Sequence, residues 1–455
     1  MTVAGGISTV FARGLFDGRV ARGPSLLRIA EGRIAAVEPV PAEGEVVADM
    51  TVAYALPGLI DAHVHVNGYR EGIPAGNPYG PAKHFLRLCL AQGVTTVRDV
   101  GNSIESLYYL REWGERYGAP RIYGSGPLLD GAPFTWPFTR HVVDEIAAKW
   151  HVNQLADAGV DLVKTYTRLS PPLVRAVVDA ARARGLPVAA HCGATTARDA
   201  ALAGVRSLEH AEELLHPYDD LPDPPRDAVD RIMSWAKVDP DGAAVTDLAG
   251  VLLAAGTALC PTLLVSRRWC LLDEMVGEPN NDRMVPVMPY HAHFPQLRGV
   301  IGMRIGAKHM ARYMPVRVLA RGERDRVEAG LAALGAVVRR LHNAGIPVIA
   351  GTDSPNPSIV PGHALHQELL MLHRTGLGAT DVLVAATSGA ADVIGAADVG
   401  VVERGAHADL LLLRADPTAD LGALRSVAGV VKGGRLVDLD DVERRIAEQM
   451  AAAQR

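Results

Sequence analysis

A repeated alternation of short strand-like runs and helical segments through the middle of the chain most constrains its fold. The eight runs are "GLIDAHVH", "GVTTVRDVG", "RIYGSGP", "DLVKTYT", "PVAAHC", "SLEHA", "ALCPTL" and "PVIAGTDS". Between most of them lie segments such as "PPLVRAVVDAARARG", in which apolar residues recur with helical spacing before a closing Gly. This alternation indicates parallel βα units of an α/β fold, and eight units predict a closed (β/α)8 TIM-like barrel. An open doubly wound sheet is the competing fold, but no G-x-G-x-x-G follows the first run.

The two ends of the chain have a different pattern. "SLLRIAEGRIAAVEP" near the start, and "HADLLLLRADP" with "VAGVVKGGRLVDL" near the end, are typical of β-hairpins that turn at Gly. We predict a small composite β-sandwich built from residues 1–55 and 400–440, with the barrel inserted over 56–399 and a surface helix over 441–455. A long insertion around 264–320, rich in Met, Pro and aromatic residues, is either a lid at the barrel mouth or a packing element.

Composition and charge narrow the class of protein. Hydrophobic residues make up 48% of the 455 residues and charged residues 21%, as in ordinary globular proteins. The net charge of −5 argues against nucleic acid as the main partner. No apolar run approaches the roughly 20 residues of a membrane span. Four scattered cysteines without a C-x-x-C pair, and an N-terminus unlike a signal peptide, predict a cytoplasmic protein with reduced thiols.

Two histidines end the first strand-like run. His63 and His65 are two residues apart, so along a strand they share one face and could bind one divalent ion. Taken alone, an H-x-H pair is more often two partly exposed strand-end histidines. Further candidate ligands lie at the ends of four other runs, and they are Lys164, His191, His210 and Asp353. In a barrel, these four residues and the two histidines would meet at one face.

The types of ligand also fit a metal site. Imidazole and carboxylate suit Zn²⁺ and related ions, whereas an ammonium group repels them. Burial lowers the pKa of a lysine amine, and the neutral amine of Lys164 could take up CO₂ as a carbamate that bridges two cations.

Several motifs together resemble the amidohydrolase superfamily, in particular its prolidase-type and imidazolonepropionase-like branch. They are "LPGLIDAHVH", "GVTTVRDVG", "VKTY", "AHCG", "LEHAEE", "GTDS" and "GHALHQELLMLHRTGL", and the resemblance extends over nearly the whole chain. It implies a metal-dependent hydrolase in which His63, His65 and Asp353 hold one ion. Lys164, as a carbamate, would bridge to a second ion held by His191 and His210.

One departure from this branch leaves two questions open. Prolidase-type members often have a Gly-rich stretch after the lysine, whereas "TYTRLS" follows Lys164 here. The number of ions, one or two per subunit, and any specificity for peptides therefore remain open.

The ligands predict hydrolysis of a C–N bond in an amide, urea or carbamate by metal-activated hydroxide. Asp353 would act as general base and then protonate the leaving nitrogen. Tyr166, two residues beyond Lys164, should face the same cavity. It either donates a hydrogen bond to the oxyanion or simply fills the barrel.

Aromatic residues after the third run suggest the kind of small-molecule substrate. Phe134, Trp136 and Phe138 in "APFTWPFTRHV" favour an apolar or aryl substituent, and His141 and Arg304 are candidate contacts for a carboxylate. Three alternatives stay open. The protein could be an Xaa-Pro dipeptidase or N-acyl amino acid hydrolase, an aryl-urea or carbamate hydrolase, or a non-catalytic scaffold. The presence of all six ligands argues against a scaffold, and the long insertion suggests a homo-oligomer.

Overall fold

The computed structural model describes residues 3–41, 46–66, 79–133, 136, 138–215, 227–284, 286–287 and 318–453. Strands contribute to three sheets in this part of the chain. The strands are β1 (Val3–Gly6), β2 (Thr9–Phe16), β3 (Ala21–Arg22), β4 (Ser25–Ala30), β5 (Arg33–Pro39), β6 (Met50–Pro57), β7 (Leu59–Val64), β8 (Val94–Asp99), β9 (Arg121–Gly124), β10 (Leu128–Asp130), β11 (Thr139–His141), β12 (Val163–Thr165), β13 (Val188–His191), β14 (Ser207–Glu209), β15 (Ala258–Cys260), β16 (Leu410–Leu413), β17 (Val427–Lys432) and β18 (Arg435–Val437).

Helices follow most of the central strands, and short 3₁₀ turns span Ala211–Glu213, Asn281–Met284 and Leu421–Arg425. The α-helices are α1 (Gly80–Ala91), α2 (Ile104–Tyr117), α3 (Glu145–Asp157), α4 (Pro171–Ala183), α5 (Ala197–Ala203), α6 (Ala228–Trp235), α7 (Ala243–Ala255), α8 (Leu263–Cys270), α9 (Leu272–Val276), α10 (Glu323–Asn343), α11 (His363–Arg374), α12 (Ala379–Ala385), α13 (Ser388–Ile394) and α14 (Leu439–Ala453).

One nine-stranded sheet joins the two ends of the chain. Its order is β1-β18-β17-β16-β6-β2-β4-β5, with β3 beside β2, and β6 pairs with β16 from the far end of the sequence. All four leucines of β16 are buried. Leu410 and Leu412 join a small core on one face of the sheet, whereas Leu411 and Leu413 join the main core on the other. An uninterrupted apolar strand is expected where both faces are covered.

The central strands are parallel, as the alternating pattern predicted. One sheet has the order β7-β8-β9 and another the order β11-β10-β12-β13-β14-β15. Residues 348–354 lie between the two sheets, because Leu259 of β15 bridges to Val348 and Val64 of β7 bridges to Ser354, both in parallel. At the opposite junction, the N–H of Asp161 donates to the carbonyl of Gly124 at 3.0 Å. The chain is thus a mixed α/β protein with parallel central sheets.

Parts of the long insertion around 264–320 are helical. Helices α8 and α9 and the turn at Asn281–Met284 come from it, whereas residues 288–317 lie outside the described part of the chain. The choice between a lid and a packing element therefore stays a prediction. Among the described residues, no helix is both long and apolar enough to cross a membrane.

Candidate metal centre

Six predicted ligands line one cavity of about 410 Å³. His63 lies in β7, Lys164 in β12 and His191 in β13. The other three follow strands or lie in the bridging segment 348–354, and they are His65, His210 and Asp353. Parallel strands present their carboxyl ends to the same side, which brings residues from distant parts of the sequence together.

Asp353 lies between two of the histidines. Its Oδ1 is 3.4 Å from Nε2 of His63 and 3.2 Å from Nε2 of His65. The ring of His210 is 4.7 Å from that of His63 and 4.4 Å from that of His191, between centroids. Ligand atoms of His63, His210 and Asp353 all lie within 4.8 Å of one another. These separations are close enough for the groups to share one ion.

The backbone around the cavity is held in an uncommon conformation. Asp353 and His210 have φ of 58° and 67°, in the left-handed region that non-glycine residues seldom adopt. The N–H of Asp353 donates to the carbonyl of His63 at 2.8 Å, and the N–H of His210 donates to that of Cys260 at 2.9 Å. At Gly351, a Cβ would lie 2.6 Å from Cβ of His63, so only glycine permits this close approach.

Burial and neighbouring charges tune the ionisable groups of the cavity. Burial alone would raise the pKa of Asp353, but its contacts with the ring nitrogens of His63 and His65 outweigh burial and hold the pKa well below the usual value. Burial lowers the pKa of His210 to about 3. Burial and the neighbouring His210 lower the pKa of His191 strongly. These imidazoles are neutral near pH 7, the form that binds metals. Burial also lowers the pKa of Lys164 to about 8.

Two buried polar atoms of the six predicted ligands have no hydrogen-bond partner among the described residues. They are Nζ of Lys164 and Nδ1 of His191. Buried polar groups are nearly always paired, so such atoms call for a ligand that completes them. The donor set of imidazole, carboxylate and amine nitrogen therefore fits a divalent ion.

Tyr166 and Trp136 lie on the wall of the same cavity. Nε1 of Trp136 donates to the hydroxyl oxygen of Tyr166 at 2.9 Å, and the tyrosine ring is 4.7 Å from that of His191. Burial raises the pKa of Tyr166 further above its ordinary value, so its hydroxyl keeps its proton.

The remaining predicted substrate contacts have different positions. Phe138 lines the cavity beside Trp136, with ring centroids 6.3 Å apart. His141 is exposed and is not part of the cavity wall, and its carbonyl accepts a hydrogen bond from His151. Phe134 and Arg304 lie outside the described residues.

Sequence reasoning missed several groups of this site. The cavity wall also contains Arg168, Glu212, Glu213, Arg231, Val265 and Trp269. Behind the wall, Glu209 contacts His63, and Arg98 contacts Glu209. Glu209 directly precedes His210 in "SLEHA", and a charged residue inside an apolar strand was the available signal.

The fold and the cavity together define a class of protein. It is an α/β protein whose parallel strands present imidazoles, a carboxylate and a buried amine to one cavity. The model of the amidohydrolase family matches residues 54–437, and the chain belongs to this family. A search of curated proteins gave no significant match.

Solved structures resemble the whole chain. A bottromycin amidohydrolase is 25% identical, covers 98% of this chain and 89% of its own, and has a TM-score of 0.73. An Xaa-Pro dipeptidase with bound methionine in its active site is 19% identical, covers 94% and 99%, and has a TM-score of 0.65. Ochratoxinase from A. niger is 18% identical, covers 95% of each chain, and has a TM-score of 0.64. The family, together with the bottromycin amidohydrolase, identifies the protein as a hydrolase that acts on carbon–nitrogen bonds, and the other two neighbours show the fold.

Proposed function

We propose that the protein is a metal-dependent amidohydrolase that cleaves an amide, urea or carbamate bond of a small molecule with an apolar or aryl substituent. One observation carries the proposal. Six side chains of metal-binding or carbamate-forming types, separated by up to 290 positions in the sequence, meet in one cavity. Six such groups would seldom meet by chance, and the chain belongs to the amidohydrolase family.

The proposal includes the architecture. The parallel strands would close into a (β/α)8 barrel over residues 56–399, with a small composite β-domain from 1–55 and 400–440 and a helix beyond 441. The two parallel bridges made by residues 348–354 and the Asp161–Gly124 hydrogen bond support closure, because they lie at the two junctions between the parallel sheets.

Two sets of residues would hold the metal. His63, His65 and Asp353 would bind one ion, and His191 with His210 a second. The amine of Lys164 would react with CO₂ to form a carbamate and release one proton, and this carbamate would help to hold both ions. Nitrogen and oxygen donors of this kind favour Zn²⁺. When bound, divalent ions supply a water of lowered pKa and a positive charge beside the scissile carbonyl.

Asp353 would move the proton. A carboxylate with a strongly lowered pKa remains ionised and can accept a proton from the attacking water. It would then deliver that proton to the leaving nitrogen as the C–N bond breaks. Its Oδ1 lies within 3.4 Å of Nε2 of both His63 and His65, which supports this role.

Tyr166 would stabilise the oxyanion. Its oxygen accepts the hydrogen bond from Trp136, so its own proton is free for another acceptor, and the hydroxyl lines the cavity. A donor aimed at developing negative charge lowers the barrier of acyl transfer.

The cavity wall supports an aryl or apolar substituent. Trp136, Phe138 and Trp269 lie on it, and aromatic side chains bind flat apolar groups. An Xaa-Pro dipeptide or N-acyl amino acid is the second candidate substrate, since one structural neighbour is an Xaa-Pro dipeptidase. Arg168 and Arg231 on the wall would then contact its carboxylate.

The test is hydrolysis of a matched panel by the Zn²⁺-loaded chain. The panel contains N-acyl and carbamoyl anilides, Xaa-Pro dipeptides and N-acyl amino acids. We expect turnover of at least one anilide, and Asp353→Asn should lower kcat/KM by about 10²–10⁴-fold. Asp179→Asn, at an exposed carboxylate of α4, is the control and should leave the rate unchanged. Turnover of no C–N substrate, or full activity of Asp353→Asn, would refute the proposal.

A further inference from the structure

A buried ion pair lies behind the candidate metal centre, and the proposed mechanism makes no use of it. Arg98 of β8 is 2% exposed and Glu209 of β14 is fully buried. One guanidinium nitrogen of Arg98 lies 2.8 Å and 2.9 Å from the two carboxylate oxygens of Glu209. The Ser207 hydroxyl donates to the same carboxylate at 2.6 Å and accepts from Arg98 at 2.9 Å. Arg98 also donates to the carbonyl of Ala62.

The carboxylate of this pair faces the back of a predicted ligand. Oε2 of Glu209 is 2.7 Å from Nδ1 of His63, and the His63 side chain is only 1% exposed. A carboxylate that is held by a guanidinium can only accept hydrogen bonds. Nδ1 must therefore be protonated and donate to Glu209, and in the neutral form of the ring this leaves the lone pair on Nε2. That nitrogen lies on the cavity side, 3.4 Å from Asp353.

We infer that Arg98 and Glu209 act as positioning residues, which fix the tautomer and ring orientation of His63 so that its Nε2 is presented to the cavity. The ligand role of His63 rests on the proposed function, whereas the tautomer follows from the hydrogen bonds alone. A ligand imidazole commonly donates its second N–H to a carboxylate, which raises its basicity toward the metal.

Stability alone is a weak reason for this arrangement. A buried ion pair loses much of its Coulombic gain to desolvation, and replacement by apolar residues often leaves stability unchanged or improves it. The strands that carry Arg98, Glu209 and His63 belong to two different sheets. The pair thus connects the two sheets directly behind His63, at a position where it can fix the orientation of the imidazole ring.

The first measurement is the affinity of Glu209→Gln for Zn²⁺, by competition with a chromogenic chelator. A glutamine amide can either accept from Nδ1 or donate to it, so both tautomers of His63 become accessible. We expect the dissociation constant to rise about 10–100-fold. Glu38→Gln is the matched control, because it makes the same change at an exposed carboxylate of β5 that pairs with Arg28, away from His63. Its constant should remain within about threefold of the parent value.

Because Glu209→Gln leaves Arg98 without its partner, Arg98→Met/Glu209→Gln is measured in parallel. This double variant removes both charges and retains similar volumes, and thermal unfolding of the metal-free chains shows which variants are folded. A folded Glu209→Gln or Arg98→Met/Glu209→Gln variant that binds Zn²⁺ as tightly as the parent would overturn the inference.

A second readout separates this inference from the proposed function. In ¹⁵N-histidine-labelled metal-free chain at pH 8, the His63 signals, assigned by their loss in His63→Gln, should show the Nδ1–H tautomer. In Glu209→Gln they should shift toward a mixture. If the parent chain binds no Zn²⁺, the proposed metal function fails and the tautomer decides the inference alone. An unchanged tautomer in a folded Glu209→Gln would overturn it.

Discussion

The hydroxyl of Tyr166 illustrates how one hydrogen bond sets the chemistry of a side chain. An indole N–H can only donate, so the contact with Trp136 uses a lone pair of the tyrosine oxygen and leaves its proton available. At the pH of any assay the phenol is neutral, because burial raises its pKa.

Tyr166→Phe should therefore lower kcat about 100-fold while KM changes little, because the lost bond forms mainly in the transition state. Steady-state kinetics on the best substrate of the panel measures both values. Phe138→Leu, a change at an apolar wall residue, should instead act mainly on KM. Equal kcat in Tyr166→Phe and the parent would mean that Tyr166 only fills space.

At the scale of single residues, sequence predicted the groups that have a recognisable pattern. The spacing of His63 and His65 and the position of Lys164 at a strand end are local features. Glu209 shows only a charge within a short apolar strand, and its role, like that of Arg98, depends on which strands become neighbours. Similarly, His141 was expected near the substrate from its place in the sequence, yet β11 leaves it exposed and off the cavity wall.

Two glycines within helices have opposite surroundings, so substitutions at them can be compared directly. Gly330 of α10 is buried where the helix crosses α6, and a Cβ there would collide with the backbone carbonyl of Ile232. Gly250 of α7 is exposed and nothing lies near the position of its Cβ.

We expect Gly330→Ala to destabilise the fold by about 1–3 kcal/mol, because the backbone of α6 has to move. Gly250→Ala should stabilise it by about 0.5–1 kcal/mol, through the helix propensity of alanine. Urea unfolding measures both changes in the free energy of unfolding. Equal effects of the two substitutions would contradict the close approach of α10 and α6.

A buried carboxyl group connects helices α11 and α8. Glu368 accepts from the N–H groups of Leu263 and Leu264 at 2.9 Å and 2.7 Å, where α8 begins. Burial raises the pKa of Glu368 to about 8, although these two bonds lower it in part. In the folded state the group therefore keeps its proton to a higher pH than in the unfolded chain.

The raised pKa of Glu368 makes its contribution to the free energy of unfolding depend on pH. The contribution of Glu368 is fully present below its unfolded pKa of about 4.5 and is lost as pH rises through about 8. We expect the free energy of unfolding of the parent, relative to Glu368→Gln, to fall between pH 5 and pH 9. Urea titrations at several pH values measure this difference. A difference that stays constant or grows with pH would contradict the raised pKa.

Sequence predicted the parallel central strands better than their irregularities. The run "PVIAGTDS" forms only isolated bridges at Val348 and Ser354, because the left-handed conformation of Asp353 interrupts a regular ladder. Strands β10 and β11 were not predicted, because in the described residues they follow β9 without the intervening helix that precedes β12, β14 and β15, which are equally short.

Strands from both ends of the chain form one sheet, which packs beside the parallel central strands. The leucines of β16 pack toward both cores, and a Cβ at Gly93 would lie 2.6 Å from Leu411, so the sheet and the central strands are in close contact. Composition and hairpin patterns predicted strands at both ends, whereas pairing of β6 with β16 depends on contacts between distant segments.

The most direct test of the account is the metal content of the chain, purified without added metal and then reconstituted with Zn²⁺ and bicarbonate, in the parent and in Lys164→Ala. We predict about two equivalents per chain in the parent, and one or fewer in Lys164→Ala together with loss of activity. A parent that retains no metal after reconstitution would contradict the central claim. Two equivalents in Lys164→Ala would contradict the bridging role of Lys164.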